Sequence, residues 1–254
     1  MVSKIGTMAK KYLRKNIPGL VDVGCVIHGD VYDFDYVLKL ERGLRDNFTV
    51  PLNFHIWTEE HRQGVPDRMI RHNLLDLGVS GPKRSWWYKM QLFNNKEFKG
   101  LLYYFDLDTI IWGNLDWMQQ LDPNKFWACR DFRYLWRKNK YTFNSSIMKV
   151  DTTKYGHLWK KFLQSKDQWM RMYHGDQDYI NKEVPPIEKG FLSTEKIKSY
   201  RWEVKGGGID FSTRAYPRMG QPRDHILNNC SVIVFHGTPK PHEVRDDPEI
   251  QKKW

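Results

Sequence analysis

Two aspartates one residue apart, Asp106 and Asp108, are the clearest candidates for chemistry in this sequence. They follow the apolar run Leu101–Phe105, which predicts a buried strand. Because side chains alternate along a strand, we expect the two carboxylates to share one face, where they repel each other unless a cation binds there. Carboxylate oxygens suit Mg²⁺ or Mn²⁺, and a diphosphate would complete such a site. The same spacing is also common in solvated turns and helix caps.

Polar residues also follow the first predicted strand. This strand begins at Val21 and ends in His28, Gly29 and Asp30. A glycine at this point lets the backbone come close to a ligand, and the aspartate could accept hydrogen bonds from a ribose or a base. A turn capped by the aspartate explains the same residues equally well.

The last predicted strand, residues 230–236, carries a third group of polar residues at its end. It ends at His236, which is followed by Gly237 and, three residues later, by Lys240. An imidazole can bind a metal, and a lysine can bind phosphate as a point charge. One short segment therefore offers a possible metal ligand, a backbone turn and a cation.

Hydrophobic periodicity predicts the elements that position these residues. The chain opens as β-α-β, with a helix whose apolar face contains Val37, Leu38, Leu40 and Leu44, and a strand at residues 52–57. The remaining predictions are a peripheral helix within residues 1–19, a loop at 62–84, helices at 86–93 and from Tyr155 and Asp176, strands at 101–105, 126–131 and 141–148, an irregular region at 183–229 and a surface tail at 242–254. The ammonium group of Lys89 would extend to water, which is the default for a lysine among bulky residues, or meet a buried anion. We predict one α/β domain spanning residues 1–254.

Composition limits the class of protein. The chain of 254 residues is long enough to bury a full core. It contains no window of about 18 apolar residues that could span a membrane, and no apolar segment typical of a secretory signal. The three cysteines are far apart in apolar contexts, which favours reduced core thiols. We therefore expect a cytoplasmic protein.

Two other classes of function compete on the sequence alone. The net charge of +11, with 11 tryptophans and 13 tyrosines, favours an acidic partner such as nucleic acid, but no nucleic-acid-binding motif is present. The basic segment 130–140 could contact an anionic acceptor or a membrane surface, or be a solvated loop. A metal-dependent phosphohydrolase or nucleotidyltransferase would need a further acid near Asp108, for which Asp116 is the nearest candidate.

Taken in order, these motifs resemble retaining glycosyltransferases of the GT-A fold, in the family that includes glycogenin and the bacterial lipooligosaccharide galactosyltransferases. The matching pieces are His28-Gly-Asp-Val-Tyr32, Lys89, Phe105-Asp-Leu-Asp-Thr with Gly113-Asn-Leu-Asp116, Asn144-Ser-Ser, residues 175–181, and His236-Gly-Thr-Pro-Lys-Pro241. The resemblance implies a Rossmann-like domain with a mixed, mostly parallel central sheet, and transfer of a hexose from a UDP-sugar with retention of configuration.

The resemblance also implies a role for each matching residue. A divalent metal, Mn²⁺ or else Mg²⁺, would be held by Asp106, Asp108 and His236. The diphosphate would meet Lys240 and Lys89 near Gly237, and the uridine would lie against Gly29, Asp30 and Tyr32. The donor sugar would lie near Asp106, Asp131, Asn144 and Asp176, with Gln177 close to the anomeric carbon. Asp176 and Gln177 would then be the catalytic residues.

Two positions depart from the pattern of the family. The metal-binding histidine of typical members precedes the glycine by three residues, whereas His236 directly precedes Gly237. Ser146 stands where many members have glycine, which bears on the choice of donor sugar. The acceptor is left open among a glycan, a lipid-linked sugar and a protein, because acceptor sites are built from variable loops.

Overall fold

The computed structural model describes residues 19–79, 85–135, 143–205 and 219–254. The peripheral helix predicted within residues 1–19 falls almost entirely outside these ranges. So do three of the basic residues of segment 130–140, namely Arg137, Lys138 and Lys140, and the glycines at 206–208.

The chain begins with a strand, a long helix and a strand, and shorter strands and helices follow. The strands are β1 (Val21–Val26), β2 (Leu52–Thr58), β3 (Met69–Asn73), β4 (Leu101–Phe105), β5 (Thr109–Ile111), β6 (Phe126–Cys129), β7 (Asn144–Asp151), β8 (Lys189–Phe191), β9 (Ile197–Ser199) and β10 (Val232–Val234). The α-helices are α1 (Phe34–Asn47), α2 (Gly156–Gln164), α3 (Lys166–Met172), α4 (Asp176–Glu183), α5 (Arg223–Asn229) and α6 (Pro248–Lys253). Short 3₁₀ or π helices occupy Trp86–Phe93, Asp116–Gln120, Phe132–Leu135, Pro186–Glu188, Tyr200–Val204 and Pro241–Glu243.

Seven strands form the central sheet in the order β3-β2-β1-β4-β7-β6-β8. The first four strands of that order are parallel, β7 runs antiparallel to both β4 and β6, and β8 is parallel to β6. A smaller sheet has the order β5-β10-β9. The predicted α/β class with a mixed, mostly parallel central sheet is therefore confirmed.

The β-α-β opening is also confirmed, and α1 shows how the sequence specifies it. The Asp33 carboxylate caps the helix by accepting a hydrogen bond from the Asp35 N–H at 2.8 Å. Val37, Leu40 and Leu44 are buried against the sheet, whereas Leu38 is exposed. Leu38 follows Val37 by one residue, and a rotation of about 100° per residue carries it off the buried face.

Strand β4, which delivers the aspartates, is buried on both faces. Tyr103 and Phe105 pack into one hydrophobic cluster, and Leu102 and Tyr104 pack into a second cluster on the other face. A strand covered on both faces needs apolar side chains at consecutive positions, which explains its continuous apolar run. The helices of the described residues are too short or too polar to cross a lipid bilayer.

Several local predictions differ from the structure. The predicted loop at 62–84 contains β3, and the predicted irregular region contains β8, β9 and α5. These strands have three to five residues, too few to show a periodicity, and they exist because neighbouring strands pair with them. The predicted helix at residues 86–93 is present, as a 3₁₀ helix. The predicted surface tail contributes Val244 and Ile250 to a third hydrophobic cluster.

Candidate active site

The two aspartates lie in a turn that joins the two sheets. Asp106 follows β4, and Asp108 directly precedes β5, with its carbonyl accepting from the Phe235 N–H at 2.9 Å. The Asp106 N–H donates to the Ser146 carbonyl at 2.7 Å. We predicted that strand alternation would place both carboxylates on one face. That reason does not hold, because the chain leaves the extended conformation at Asp106. The carboxylates are nevertheless close enough for their charges to interact.

Asp106 is part of a buried network around Lys89. The Lys89 ammonium lies 2.9 Å from the Asp106 carboxylate and 3.5 Å from that of Asp176, and it donates to Ser145 Oγ at 3.1 Å. Ser145 Oγ donates in turn to Asp176 at 2.7 Å, and the Tyr104 hydroxyl donates to Asp106 at 2.6 Å. The expectation that Lys89 reaches water is wrong, since only 8% of the residue is exposed.

The charges in this network shift the pKa values of its members. Burial lowers the pKa of Lys89, but the carboxylates of Asp106 and Asp176 outweigh burial and raise it overall. Burial raises the pKa of Asp176, against the stabilising effects of Lys89 and Ser145. The ammonium therefore stays charged and neutralises two acids that would otherwise be costly to bury.

Asp108 pairs with a second lysine. The Lys240 ammonium donates to the Asp108 carboxylate and to the Phe235 carbonyl, the latter at 3.3 Å. The Tyr32 hydroxyl donates to Asp108 at 3.2 Å. Burial raises the pKa of Asp108, Lys240 opposes this rise, and the charge of Asp106 adds to it. The structure thus brings together three predicted segments, which follow β1, β4 and β10.

A group of polar side chains surrounds Gln177, at the start of α4. The Asn144 amide donates to Gln177 Oε1 at 3.3 Å, and Gln177 Nε2 lies 3.5 Å from the Asp131 carboxylate that it faces. Arg133 binds both oxygens of Asp131, at 2.7 and 3.0 Å. Gly175, not Asp176, is the N-cap of α4, so the Asp176 carboxylate is directed into the site.

The segment after β1 is held by side chains that follow β2. The Gly29 N–H donates to the Glu59 carboxylate at 2.5 Å, and Arg62 donates to the Gly29 carbonyl at 2.7 Å. Arg62 also donates to the Glu59 carboxylate, at 3.0 Å. Burial alone would raise the pKa of Glu59, but the hydrogen bonds from the Gly29 N–H and Arg62 lower it to about 2. Gly29 has φ +62°, which favours glycine, and Asp30 is exposed.

Glu59 and Arg62 were not predicted from the sequence. The signal was present, because charged residues directly after a predicted strand are what identified Asp106. The ring of His28 stacks on Tyr88 at 3.6 Å between centroids, a contact that no local pattern indicates.

His236 is directed away from the two aspartates. Its Nε2 lies 2.7 Å from Ser199 Oγ, and its ring stacks on Phe132 at 4.6 Å between centroids. Burial, with Arg201 nearby, lowers the pKa of His236 to about 3, so the ring is neutral. Gly237, the next residue, has φ +76°.

The candidate metal ligands of this site are the carboxylates of two aspartates. Asp106 and Asp108 offer the hard oxygen ligands that Mn²⁺ and Mg²⁺ prefer. Within residues 19–79, 85–135, 143–205 and 219–254, no group of three or more His, Cys, Asp or Glu side chains is arranged to hold a metal. The two carboxylates are of the ligand type that such an ion prefers, and His236, bonded to Ser199, is not grouped with them in the structure.

Asp116 lies outside this site. Its carboxylate accepts from the Thr49 N–H at 3.0 Å, from the Thr49 hydroxyl at 2.7 Å and from the Asn114 amide at 2.9 Å. It caps a surface turn next to α1. The further acid that a two-metal phosphohydrolase would require is therefore not supplied by Asp116.

Comparison with solved structures identifies the fold. An active-site mutant of the galactosyltransferase LgtC matches with a TM-score of 0.63 at 13% identity, over 91% of this chain and 93% of that chain. LgtC in complex with donor and acceptor sugar analogues matches with a TM-score of 0.61 at 13% identity, over the same shares of both chains. The glycosyltransferase GlyE of Streptococcus pneumoniae TIGR4 matches with a TM-score of 0.58 at 14% identity, over 87% of this chain and 56% of that chain.

No protein-family model matches this sequence, and no curated protein matches it. At identities of 13–14% the likeness shows the fold. The GT-A architecture expected from the sequence is confirmed at that level.

Proposed function

We propose that this protein is a glycosyltransferase that moves a hexose from a UDP-sugar to an acceptor with retention of configuration. The observation that carries the proposal is the pairing of two lysines with two aspartates at the junction of the sheets, Lys89 with Asp106 and Lys240 with Asp108. Such a site offers cations to a diphosphate at the carboxyl ends of β1 and β4, where open α/β sheets bind ligands. The shared fold with LgtC supports the same activity.

The donor would lie across the ends of these strands. Lys240 and Lys89 would bind the diphosphate, and the turn at Gly237 would let backbone approach it. Gly29, Asp30 and Tyr32 would lie near the uridine. The exposed position of Asp30 and the clamping of Gly29 by Glu59 suit this role, because a rigid loop loses little entropy on binding.

A divalent ion, Mn²⁺ or Mg²⁺, would be held by Asp106 and Asp108. When bound, it would neutralise charge on the diphosphate leaving group. Because His236 is bonded to Ser199, it is not among the residues that we propose to hold the ion. Lys240 would give up Asp108 and Lys89 would give up Asp106, and both would turn to the phosphates, while Lys89 stays beside Asp176.

The polar group around Gln177 would bind the donor sugar. Asp131 and Asn144 would contact hydroxyl groups, and Gln177 would approach the anomeric carbon. In the reaction the bond from that carbon to the UDP oxygen breaks, and its electron pair leaves with UDP. The acceptor oxygen forms the new bond on the same face and passes its proton to the leaving phosphate. Asp176, bound by Lys89 and Ser145, would orient the site and stabilise positive charge on the sugar without forming a covalent bond.

The test is the melting temperature of the protein with UDP, GDP, ADP or CMP, each with Mn²⁺, with Mg²⁺ or with EDTA. We expect a rise with UDP that requires the metal, because a ligand at about 100 times its Kd stabilises the folded state by about 2.7 kcal/mol. Asp108→Asn is expected to lose the rise. Asp116→Asn is the matched control, since it makes the same change outside the site and should keep the rise. A protein that no nucleotide stabilises would contradict the proposal.

A further inference from the structure

We infer that Trp86 is a platform on which a neutral hexopyranose ring of the acceptor stacks. This inference rests on the proposed function, because it assigns the second substrate of the same site. Of the tryptophans that the structure describes, Trp86 alone is exposed, with 42% of its surface open. Its neighbour Trp87 is 1% exposed and lies in the core, so the chain turns only one of the two rings outward.

The position of Trp86 places it at the edge of the proposed reaction centre. Its ring lies against Gly175, where an added Cβ atom would come within 3.1 Å of Trp86 Cε3. Asp176 and Gln177 are the next two residues of the chain. Residues i and i+3 of a 3₁₀ helix lie on the same side, so Trp86 shares a side with Lys89, which contacts Asp106 and Asp176.

The ring is held in place from one side. His174 lies 5.4 Å from Trp86 between ring centroids, with the planes tilted by 42°. Gly175 supports the indole closely because it has no side chain. A ring that is supported in this way while much of its surface stays exposed loses little freedom when a ligand covers it.

The chemistry of the surface favours a sugar ring. A pyranose has an apolar C–H face that packs on the electron-rich face of an indole, while its hydroxyl groups stay available to water and polar side chains. The uridine is assigned to the loop after β1. That loop contacts another side of the same helix, where Tyr88 stacks on His28, so the uridine would lie away from Trp86. The donor sugar is assigned to Asp131 and Asn144 around Gln177, so the sugar on Trp86 would be that of the acceptor.

The experiment compares the wild type with Trp86→Ala, Trp86→Phe and Ile187→Ala. Ile187 is 85% exposed and lies outside the site, so it controls for the loss of an exposed apolar side chain. Binding of methyl glucoside, galactoside and mannoside is measured by saturation-transfer NMR with UDP and Mg²⁺ present. We expect Trp86→Ala to weaken binding of the preferred glycoside by roughly tenfold, Trp86→Phe by less than about threefold, and Ile187→Ala not at all.

The rise in melting temperature with UDP is measured on the same variants. We expect this rise to be equal in all of them. Equal glycoside affinities in the wild type and Trp86→Ala would overturn the inference, as would loss of the UDP effect in Trp86→Ala, which would assign the ring to the donor. A wild type that binds UDP but none of the three glycosides would also overturn it. A wild type that binds a glycoside through Trp86 but binds no nucleotide would support the platform and contradict the proposed function.

Discussion

Lys89 is the residue on which the charge balance of the site depends. It is almost fully buried, and it lies within 3.5 Å of the carboxylates of both Asp106 and Asp176. Buried charges are tolerated when they are paired. Removing one partner leaves the remaining charges buried without compensation, which lowers the stability of the folded state. Lys89 therefore has a role in folding as well as its proposed role in binding phosphate.

We expect Lys89→Met to destabilise the protein by about 3 kcal/mol, because the buried carboxylate of Asp176 and the partly buried carboxylate of Asp106 lose their cation. Urea unfolding at pH 7 measures the change. Lys161→Met is the control, since Lys161 pairs with Glu183 at the surface with its own side chain 45% exposed, and such pairs contribute little. Equal losses in the free energy of unfolding of the two variants would show that the network around Lys89 stabilises the fold no more than a surface ion pair does.

His236 provides a second prediction at this scale. Because its Nε2 is bonded to Ser199 and its ring stacks on Phe132, we expect His236→Phe to keep the metal-dependent rise in melting temperature with UDP. Asp108→Asn, measured beside it, should lose this rise. A requirement for the imidazole would appear as a loss in both variants, and would mean that His236 turns toward the metal when the donor binds.

The parallel strands β1, β2 and β3 are joined by a relay of polar side chains. Asp22 lies 3.0 Å from His55 Nε2, and His55 Nδ1 lies 2.8 Å from His72 Nε2. The ring of His72 stacks on Trp57 at 4.4 Å between centroids. Both imidazoles are buried. A hydrogen bond between two imidazole nitrogens needs one of them as the acceptor, so at least one ring is neutral.

The relay makes the stability of this sheet depend on pH. Burial, with His55 adjacent, lowers the pKa of His72 to about 3, from its ordinary value of 6.5. Below pH 6.5 the unfolded chain therefore binds a proton that the folded chain does not, and stability falls with falling pH. Between pH 7 and pH 5 we expect His72 to account for a loss of about 2 kcal/mol.

Urea unfolding of the wild type and of His72→Leu at both pH values tests this prediction. The variant should be less stable at pH 7, because His55 loses a partner, but its stability should fall less on going to pH 5. A pH dependence that is the same in both proteins would show that His72 is not the group responsible.

The whole molecule carries a net charge of +11, which favours binding to nucleic acid as the competing function. Several of its cations are already bound within the protein, such as Lys89, Arg62 and Arg133. We expect binding to a labelled 20-nucleotide RNA, measured by fluorescence anisotropy, to be weak and to disappear between 50 and 200 mM salt. A protein that contacts 6–10 phosphates loses about 10³–10⁵ in affinity over that range.

The effect of UDP on melting temperature should persist at 200 mM salt, because Lys89 and Lys240, the proposed phosphate ligands, are mostly buried and salt screens buried charges weakly. The opposite pattern, in which RNA binding survives 200 mM salt and EDTA while UDP has no effect, would favour a nucleic-acid-binding protein. Competition between UDP and RNA, measured in the same anisotropy assay, shows whether the two share a site.

The sequence by itself determined the class of the fold and which segments carry the candidate site residues. The apolar run of β4, the amphipathic face of α1 and the polar residues after β1, β4 and β10 follow from residue types at short spacing. These signals are local, because the spacing of apolar residues along an element reflects which of its own faces are buried. The order of the motifs was sufficient to indicate a GT-A fold.

Only the tertiary structure decided which of these residues meet. Lys89 joins Asp106 to Asp176, Lys240 reaches Asp108, and His236 turns to Ser199. Strand β3 and the clamp of Glu59 and Arg62 on Gly29 also depend on it. Each contact joins segments that are distant in sequence, or depends on the order of strands in a sheet. The burial and charge pairing that stabilise these contacts arise only once the sheets have packed, so no local pattern records them.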